Sequence, residues 1–398
     1  MSTQPGKVKV CVVGAGNVGC YIGGRLVSGG HEVTLVGRRR LVEGVASRGL
    51  RVTSFDNEEV VHISVDSVRV VESIPRGEAF DAVFVTTKCA AVMSDGFLEN
   101  LGESVSRETA IVMVQNGVRS LDFTREKLPS HRIVGSVFSC NVQEIEDFHF
   151  HRGMKGGLFC EEGLPENVFE ALISSRLSVE RHPPAVFRSM MWGKFVVNMN
   201  NSVNALSGLP LRDQVSNPTL RKCVALCMEE AIRVAKAGGE AMKGLYLLPV
   251  DWFPSLFRLP NFIFLPIAGK LLAIDGKARS SMWDDLARGR PTEVEFLNGE
   301  VVRLGETLSV STPVNAEMLR LVREAEQKGL GALRGQKPLS GASAGGPPAA
   351  ACAGGGNGSP VSGEEKTETG ESSSESPEGI PAETLLWLLT EAQNAVKD

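Results

Sequence analysis

The chain has 398 residues, a formal net charge of −5, and 42% hydrophobic against 22% charged residues. This is the balance of a globular protein with a sizeable core, of about two or three domains at roughly 150 residues each. A mildly acidic chain lacks the basic face that a nucleic acid requires. No apolar run reaches the roughly 18 residues of a membrane span; the nearest, residues 261–272, is broken by Pro266 and Lys270. Neither nucleic acid nor membrane is therefore expected as a partner. The opening MSTQPGKVKV has neither the apolar core of a signal peptide nor the Arg-rich character of a transit peptide. Eight cysteines in so long a chain, with no CxxC, suggest neither a disulfide framework nor a zinc site. A reducing compartment, most simply the cytoplasm, is expected.

Short β-branched runs at residues 8–13, 32–36, 82–86 and 110–114 alternate with helical patterns. They predict a parallel sheet wound by crossover helices. Further strand-like stretches follow at 133–140, 149–160 and 177–181. From Val186 the pattern turns helical, and 186–205, 218–237, 280–304 and 314–327 each read as one segment. The predicted architecture is an α/β domain over residues 1–184 followed by an all-α domain over 185–330. Residues 331–379 are Gly, Ser, Pro, Ala and Glu with almost no large apolar groups. They cannot bury enough surface to offset ordering entropy, so a disordered linker is expected. Residues 380–398 regain helical spacing through Leu385, Leu389, Ala392 and Val396, with Pro381 suited to a first helical position. Such a helix docks on its own core or reaches for a partner's groove. Truncation after about residue 330 is expected to leave activity nearly intact.

The first strand runs into Gly14, Gly16 and Gly19, spaced as G-x-G-x-x-G at the opening of a helix. That context is what a dinucleotide site needs. Gly14 permits the tight turn, Gly16 the approach of a pyrophosphate, and Gly19 close packing of helix on strand. Free N–H groups at the helix start then face the phosphates. The cofactor contacts expected here are Gly14, Ala15, Gly16, Asn17, Val18 and Gly19. The second strand ends Val36-Gly37-Arg38-Arg39-Arg40, without the acid that grips a ribose 2′-hydroxyl. A carboxylate would repel a 2′-phosphate, whereas a guanidinium pairs with it bidentately. NADPH is therefore expected, with Arg38 as its foremost contact and Arg39 or Arg40 as helpers.

Further segments stand in order along the chain: Thr86-Thr87-Lys88, Gln115-Asn116-Gly117, Met191-Trp192-Gly193-Lys194-Phe195-Val196-Val197-Asn198, Arg279-Ser280-Ser281-Met282, Gly289-Arg290-Pro291-Thr292-Glu293, and Asn298-Gly299. This set resembles the ketopantoate reductases (2-dehydropantoate 2-reductases) over residues 8–327. The resemblance implies a Rossmann-type domain joined to a helical domain like the C-terminal one of 6-phosphogluconate dehydrogenase, with the site between them. It implies NADPH-dependent reduction of 2-dehydropantoate to (R)-pantoate, on the route to pantothenate and coenzyme A. It also implies Lys194 and Glu293 as the catalytic pair and Asn198 and Ser281 as substrate contacts. Asn116 would sit where nicotinamide meets substrate, and Lys88 near the cofactor. The family commonly has an Asn two turns beyond the lysine. Here Ser202 holds that position among Asn200, Asn201 and Asn204, so Asn201 and Ser202 join the substrate-side candidates.

The chemistry is consistent with those residue types. Hydride delivery to a ketone leaves an alkoxide that needs a proton, and a nearby ammonium polarises the carbonyl and supplies it. Asn198 lies one helical turn beyond Lys194, on the same face. A glutamate in the same cleft can bind a substrate hydroxyl and favour the protonated lysine. On spacing alone, Glu293 would instead be a helix-face acid paired with Arg290. The alternatives left open are reduction of another small 2-oxo acid or ketone, and a non-catalytic NADP(H)-binding module recruiting a partner through its tail helix. Residues 245–273, rich in Leu, Phe and Pro, are expected in core packing or in contact with a second subunit of a homodimer. His149 and His151 lack metal-ligand partners at ligand spacing, Cys223 and Cys227 are expected in the core, and Cys20 lies behind the glycine loop. Asp284 and Asp285 point apart as helix neighbours.

Overall fold

The computed structural model describes residues 6–244, 248–271, 278–329 and 379–396. Its strands are β1 (Lys9–Val13), β2 (Glu32–Val36), β3 (Leu50–Ser54), β4 (Asn57–Ile63), β5 (Arg69–Val71), β6 (Ala82–Val85), β7 (Ala110–Met113), β8 (Arg132–Phe138), β9 (Val142–Glu146), β10 (His149–Arg152), β11 (Leu158–Glu161) and β12 (Val179–His182). In the first half the helices are α1 (Asn17–Ser28), α2 (Arg39–Arg48), α3 (Cys89–Val92), α4 (Phe97–Ser104), α5 (Arg119–Lys127) and α6 (Glu166–Ser174). In the second they are α7 (Pro184–Val197), α8 (Asn200–Ser207), α9 (Leu211–Ser216), α10 (Pro218–Ala237), α11 (Phe253–Phe257), α12 (Asn261–Leu271), α13 (Ser281–Ala287), α14 (Asn298–Leu308), α15 (Pro313–Lys328) and α16 (Ala382–Asn394). The chain is thus a Rossmann-type α/β half followed by a helical half, with a terminal helix.

The main sheet has the order β12-β11-β8-β7-β6-β1-β2-β5. From β8 to β5 every neighbouring pair is parallel. Val13 is in register with Val36 and with Val85, and Val85 with Met113, so the carboxyl ends of these strands align. The chain leaves β1 for β2 on one side and later returns to β6 on the other. That switch point opens the crevice where open α/β sheets hold ligands. Alternate β1 residues feed two cores. Val10 and Val12 pack with α1, α6 and the second sheet, whereas Cys11 and Val13 join a core that runs on into the helical half.

A second sheet, β4-β3-β10-β9, covers α1. The sequence reading found little of it. Residues 149–160 are not one strand: β10 belongs to this sheet and β11 to the main one, with Gly153, Gly156 and Gly157 between them. The other strands of this sheet read LRVTS, NEEVVHI and VQEIE and carry no apolar run longer than two residues, so the signal for a buried strand is missing. Gly24 makes the close approach possible, since a Cβ there would stand 2.5 Å from the Val52 side chain.

Two expected long helices are interrupted. Residues 186–205 divide into α7 and α8 at Asn198–Met199. Residues 280–304 divide into α13, a 3-10 turn at Val294–Phe296, and α14. Gly289 takes φ +60, and Pro291 lacks the N–H and disfavours helix in the residue before it. Residues 218–237 form α10 as expected.

In the 245–273 segment, Phe257 and Phe264 turn inward. Fully buried Arg221 donates to the carbonyls of Phe257 (3.0 Å), Val215 (2.9 Å) and Leu259 (2.7 Å) and lies over the Phe264 ring. Trp252 (62%) and Phe262 (78%) face outward. Cys223 and Cys227 are buried in the core, and the hydroxyl of Thr53 contacts both His149 and His151 at 2.9 Å. The low-complexity stretch, up to residue 378, lies outside the described residues. The terminal helix packs on α10 and α15, with Leu385 and Leu389 fully buried. It docks on its own core, the first of the two alternatives expected for it. Among the described residues no helix is long and apolar enough to cross a membrane.

Candidate active site

At the carboxyl edge of β1 the chain makes a turn that only glycine allows. Gly14 has φ +97, and a Cβ there would stand 2.5 Å from the backbone nitrogen of Thr87. The N–H groups of Gly14 and Ala15 both donate to the Val36 carbonyl, at 3.0 and 2.9 Å. Thr86 Oγ1 donates to the Gly14 carbonyl at 2.7 Å. A Cβ on Gly19 would stand 2.7 Å from that same carbonyl, so Gly19 brings α1 onto the strand. A Cβ on Gly16 would meet nothing nearer than 3.9 Å. Gly16 is therefore not demanded by packing; it keeps the start of α1 bare. That end has no side-chain cap and no acid in its first turn, which suits an anion. Val18 is partly buried, and Asn17 donates through Nδ2 to the Val142 carbonyl at 3.1 Å. Cys20 is buried behind the loop, its thiol on the Ala15 carbonyl and its pKa pushed up by burial.

Tertiary packing sorts the three arginines after β2. Arg39 pairs with Glu43 at 2.6 Å. Arg40 pairs with Glu144 and Asp147, at 3.2 and 3.3 Å, and stacks over Phe148. Arg38, exposed at the N-terminus of α2, has no side-chain partner among the described residues. Among the described residues it is the guanidinium left without a carboxylate at the end of the second strand.

The catalytic candidates meet where α7 crosses the sheet. Phe187 packs on Gly135, where a Cβ would stand 2.4 Å from its ring. Seven helical residues later is Lys194, and three strand residues later is Phe138. Each step covers about 10 Å, so helix and strand advance together. Lys194 Nζ accordingly donates to the Phe138 carbonyl at 2.5 Å. Burial lowers the Lys194 pKa to about 8, against an opposing pull from Cys140 and Glu293. Gly193 lets the neighbouring segment approach, for a Cβ there would stand 2.0 Å from the Lys243 carbonyl.

Glu293 reaches the site because its helix is broken. Its carboxylate accepts the Cys89 backbone N–H and the Asn116 side-chain amide, both at 3.1 Å. Asn116 Oδ1 in turn faces Asn198 Nδ2 at 3.5 Å. Asn198, Asn116 and Glu293 therefore form one polar row across the junction of the two halves. No Arg290–Glu293 or Lys194–Glu293 ion pair forms among the described residues; the Glu293 charge acts on Lys194 through space. Lys88 also spans the junction, donating to the Pro291 carbonyl at 2.8 Å and pairing with Asp285 at 2.6 Å. Burial raises the Asp285 pKa to about 6, against the pull of Lys88. Asp284 turns away to Arg288.

The remaining candidates divide. Ser202 is fully buried, with its hydroxyl turned back to the Met199 carbonyl at 3.2 Å, so it is not in the polar row. Asn204 is fully buried and holds the Ser280 N–H at 2.9 Å. Ser280 is the N-cap of α13, accepting the Trp283 N–H and donating to the Asn201 carbonyl. Ser281 is exposed at the first position of α13, and Asn201 is partly exposed on α8. Asp285 and Ser280 stand in the sequence segments above without a site role, and the Phe138 carbonyl was not among the candidates. The S-S-M-W-D spacing, with Ser three residues before Trp283, was the available sign of a capped turn.

A glycine turn at a sheet switch point, with a lysine and a glutamate of the helical half set at the carboxyl ends of neighbouring strands, is the arrangement of a two-part oxidoreductase. The sequence profile described as Ketopantoate reductase PanE/ApbA matches residues 10–162, and its C-terminal counterpart matches residues 186–326. The chain belongs to the ketopantoate reductase PanE/ApbA family. The match ends before the tail helix. The 2-dehydropantoate 2-reductase of Pyrococcus horikoshii is 26% identical over 335 residues, covering 82% of this chain and all of that protein. That of Archaeoglobus fulgidus is 27% identical over 325 residues, covering 80% and 98%. Among solved structures, a PanE/ApbA family ketopantoate reductase from Ralstonia eutropha JMP134 superposes with a TM-score of 0.66 at 26% identity, covering 81% and 99%. D-mandelate dehydrogenase with NADH and anilino(oxo)acetate shares the fold, with a TM-score of 0.65 at 20% identity over 80% and 98%.

Proposed function

We propose that this protein reduces 2-dehydropantoate to (R)-pantoate with NADPH. The observation that carries the reading is Lys194, an ammonium with a lowered pKa, set on the Phe138 carbonyl at the junction where Asn116, Asn198 and Glu293 also meet. The bare start of α1, the open Gly16 and the unpaired Arg38 suit a dinucleotide with a 2′-phosphate. A reduced nicotinamide bound there supplies the hydride.

The chain's own residues do the rest. Lys194 has three donors and uses one on Phe138. A second reaches the ketone oxygen, polarises it, and gives the alkoxide its proton. A pKa near 8 makes it a better acid than an ordinary lysine while leaving it charged at neutral pH. Its charge also draws in the carboxylate of a 2-oxo acid. Glu293 is held from two sides, so its remaining lone pairs can accept the substrate's hydroxyl. Asn198 and Asn201 line the substrate side, and Ser281 at the start of α13 donates to a carboxylate oxygen. Lys88, held by Asp285 and the Pro291 carbonyl, would lie near a bound cofactor.

All seven described cysteines are free, which supports a reducing compartment such as the cytoplasm. The test is turnover of a panel of 2-oxo acids with NADPH and with NADH. A clear preference for 2-dehydropantoate and NADPH is expected. A better substrate elsewhere in the panel would replace the assignment, and a Lys194→Ala variant with unchanged turnover would end the enzymatic reading.

A further inference from the structure

We propose that residues 379–394 are a positioning clamp for the substrate side of the cleft, seated in the groove between α10 and α15 and closing the last turn of α8. This rests on the reductase reading above for its kinetic arm. The segment lies beyond the family match, yet it is built into the helical half. Ile380 N–H donates to the Leu206 carbonyl at 2.7 Å. Helix ends leave such carbonyls without an intrahelical partner, and this one is satisfied by the tail. Contact there is so close that a Cβ on Gly379 would stand 2.1 Å from the same carbonyl oxygen. Leu385 and Leu389 are fully buried, and Glu383 accepts the Thr219 hydroxyl at 2.9 Å at the start of α10, which sets the register of the docked helix.

The clamped turn is the one that organises the substrate side. Asn204, two residues before Leu206, spends its amide on the Leu209 carbonyl (2.9 Å) and Gln214 (3.2 Å), and its oxygen on the Ser280 N–H. Ser280 in turn reaches the Asn201 carbonyl at 3.2 Å and caps α13. One side chain thus ties the end of α8 to the turn that presents Ser281, and α13 carries the Asp285 that holds Lys88. Movement of the α8 end shifts Asn201 and Ser281 together. The glycine turn lies in the other half, whereas the tail helix packs on α10 and α15.

The test uses the full-length chain carrying Leu385→Asp and Leu389→Asp. With the helix undocked, hydrogen exchange over residues 200–208 quickens, and KM for 2-dehydropantoate rises about ten-fold while KM for NADPH stays within about two-fold. A synthetic peptide of residues 379–396 restores both readouts saturably; the same peptide with Leu385→Asp does not. Should the double variant fail to fold, Gly379→Ala is the second arm. It drives the tail off Leu206 with the buried leucines intact, and the same two changes are expected at smaller amplitude. Unchanged exchange over 200–208, or a KM change that the peptide does not reverse, overturns the proposal. The exchange and peptide arms need no substrate, so absence of turnover on every 2-oxo acid counts against the reductase reading alone.

Discussion

Lys194 of the helical half is anchored on the sheet, its Nζ donating to the Phe138 backbone carbonyl at 2.5 Å. A lysine so placed is stiff and partly desolvated, and its pKa falls to about 8. In the proposed mechanism turnover needs its ammonium form, so kcat/KM is expected to fall as pH rises through about 8, where Lys194 loses its proton. Lys194→Ala is expected to lower kcat by about 10²–10⁴-fold, the range for a general acid. A pH–rate profile checks the first, and a limb that persists unchanged in the alanine variant belongs to another group.

Glu293 opposes that fall, because its negative charge stabilises the ammonium. Glu293→Gln keeps an acceptor for Cys89 but removes the charge. The Lys194 pKa then drops further, and the basic limb moves to lower pH. A limb that stays in place or moves upward would show that the Glu293 charge does not stabilise the Lys194 ammonium.

Arg38 is the arginine left over after Glu43, Glu144 and Asp147 have taken its neighbours. Charge-assisted contacts are worth roughly 1.5–3 kcal/mol, so Arg38→Ala is expected to reduce the preference for NADPH over NADH by about 10–100-fold. Arg39→Ala, by contrast, is expected to change it less than about three-fold, since surface pairs such as Arg39–Glu43 contribute little. Competition kinetics with both nucleotides measure the ratio.

Gly14→Ala combines a positive φ with a Cβ 2.5 Å from Thr87. Such strain costs about 1–3 kcal/mol, to be seen as a lower unfolding midpoint in denaturant together with weaker NADPH binding. A variant with unaltered midpoint and affinity would show that the turn relaxes at no cost.

Ser202 was expected on the substrate side but is sealed in the core with its hydroxyl on Met199. Ser202→Ala is expected to leave KM for the 2-oxo acid within about two-fold and to shift stability by about 1 kcal/mol or less. A large KM rise would return Ser202 to the site.

Much of the fold was legible because it is written locally. The glycine turn, the apolar strands of the main sheet and the capped, periodic α10 each depend on residues within one or two turns of themselves. So did the missing acid after β2. What the sequence by itself determined was the architecture, the dinucleotide end and the residue types of the site. Only the tertiary structure decided which of them meet. It freed Arg38 and occupied Arg40, turned Ser202 inward, and broke a predicted helix at Gly289–Pro291 so that Glu293 could reach Asn116 across 177 residues. It also assembled a second sheet from short strands with no long apolar run, and it seated the tail helix on α10 and α15. Periodicity and turn chemistry act over a few residues. Which side chains share a cleft depends on how the faces of distant elements pack, and no local pattern carries that information.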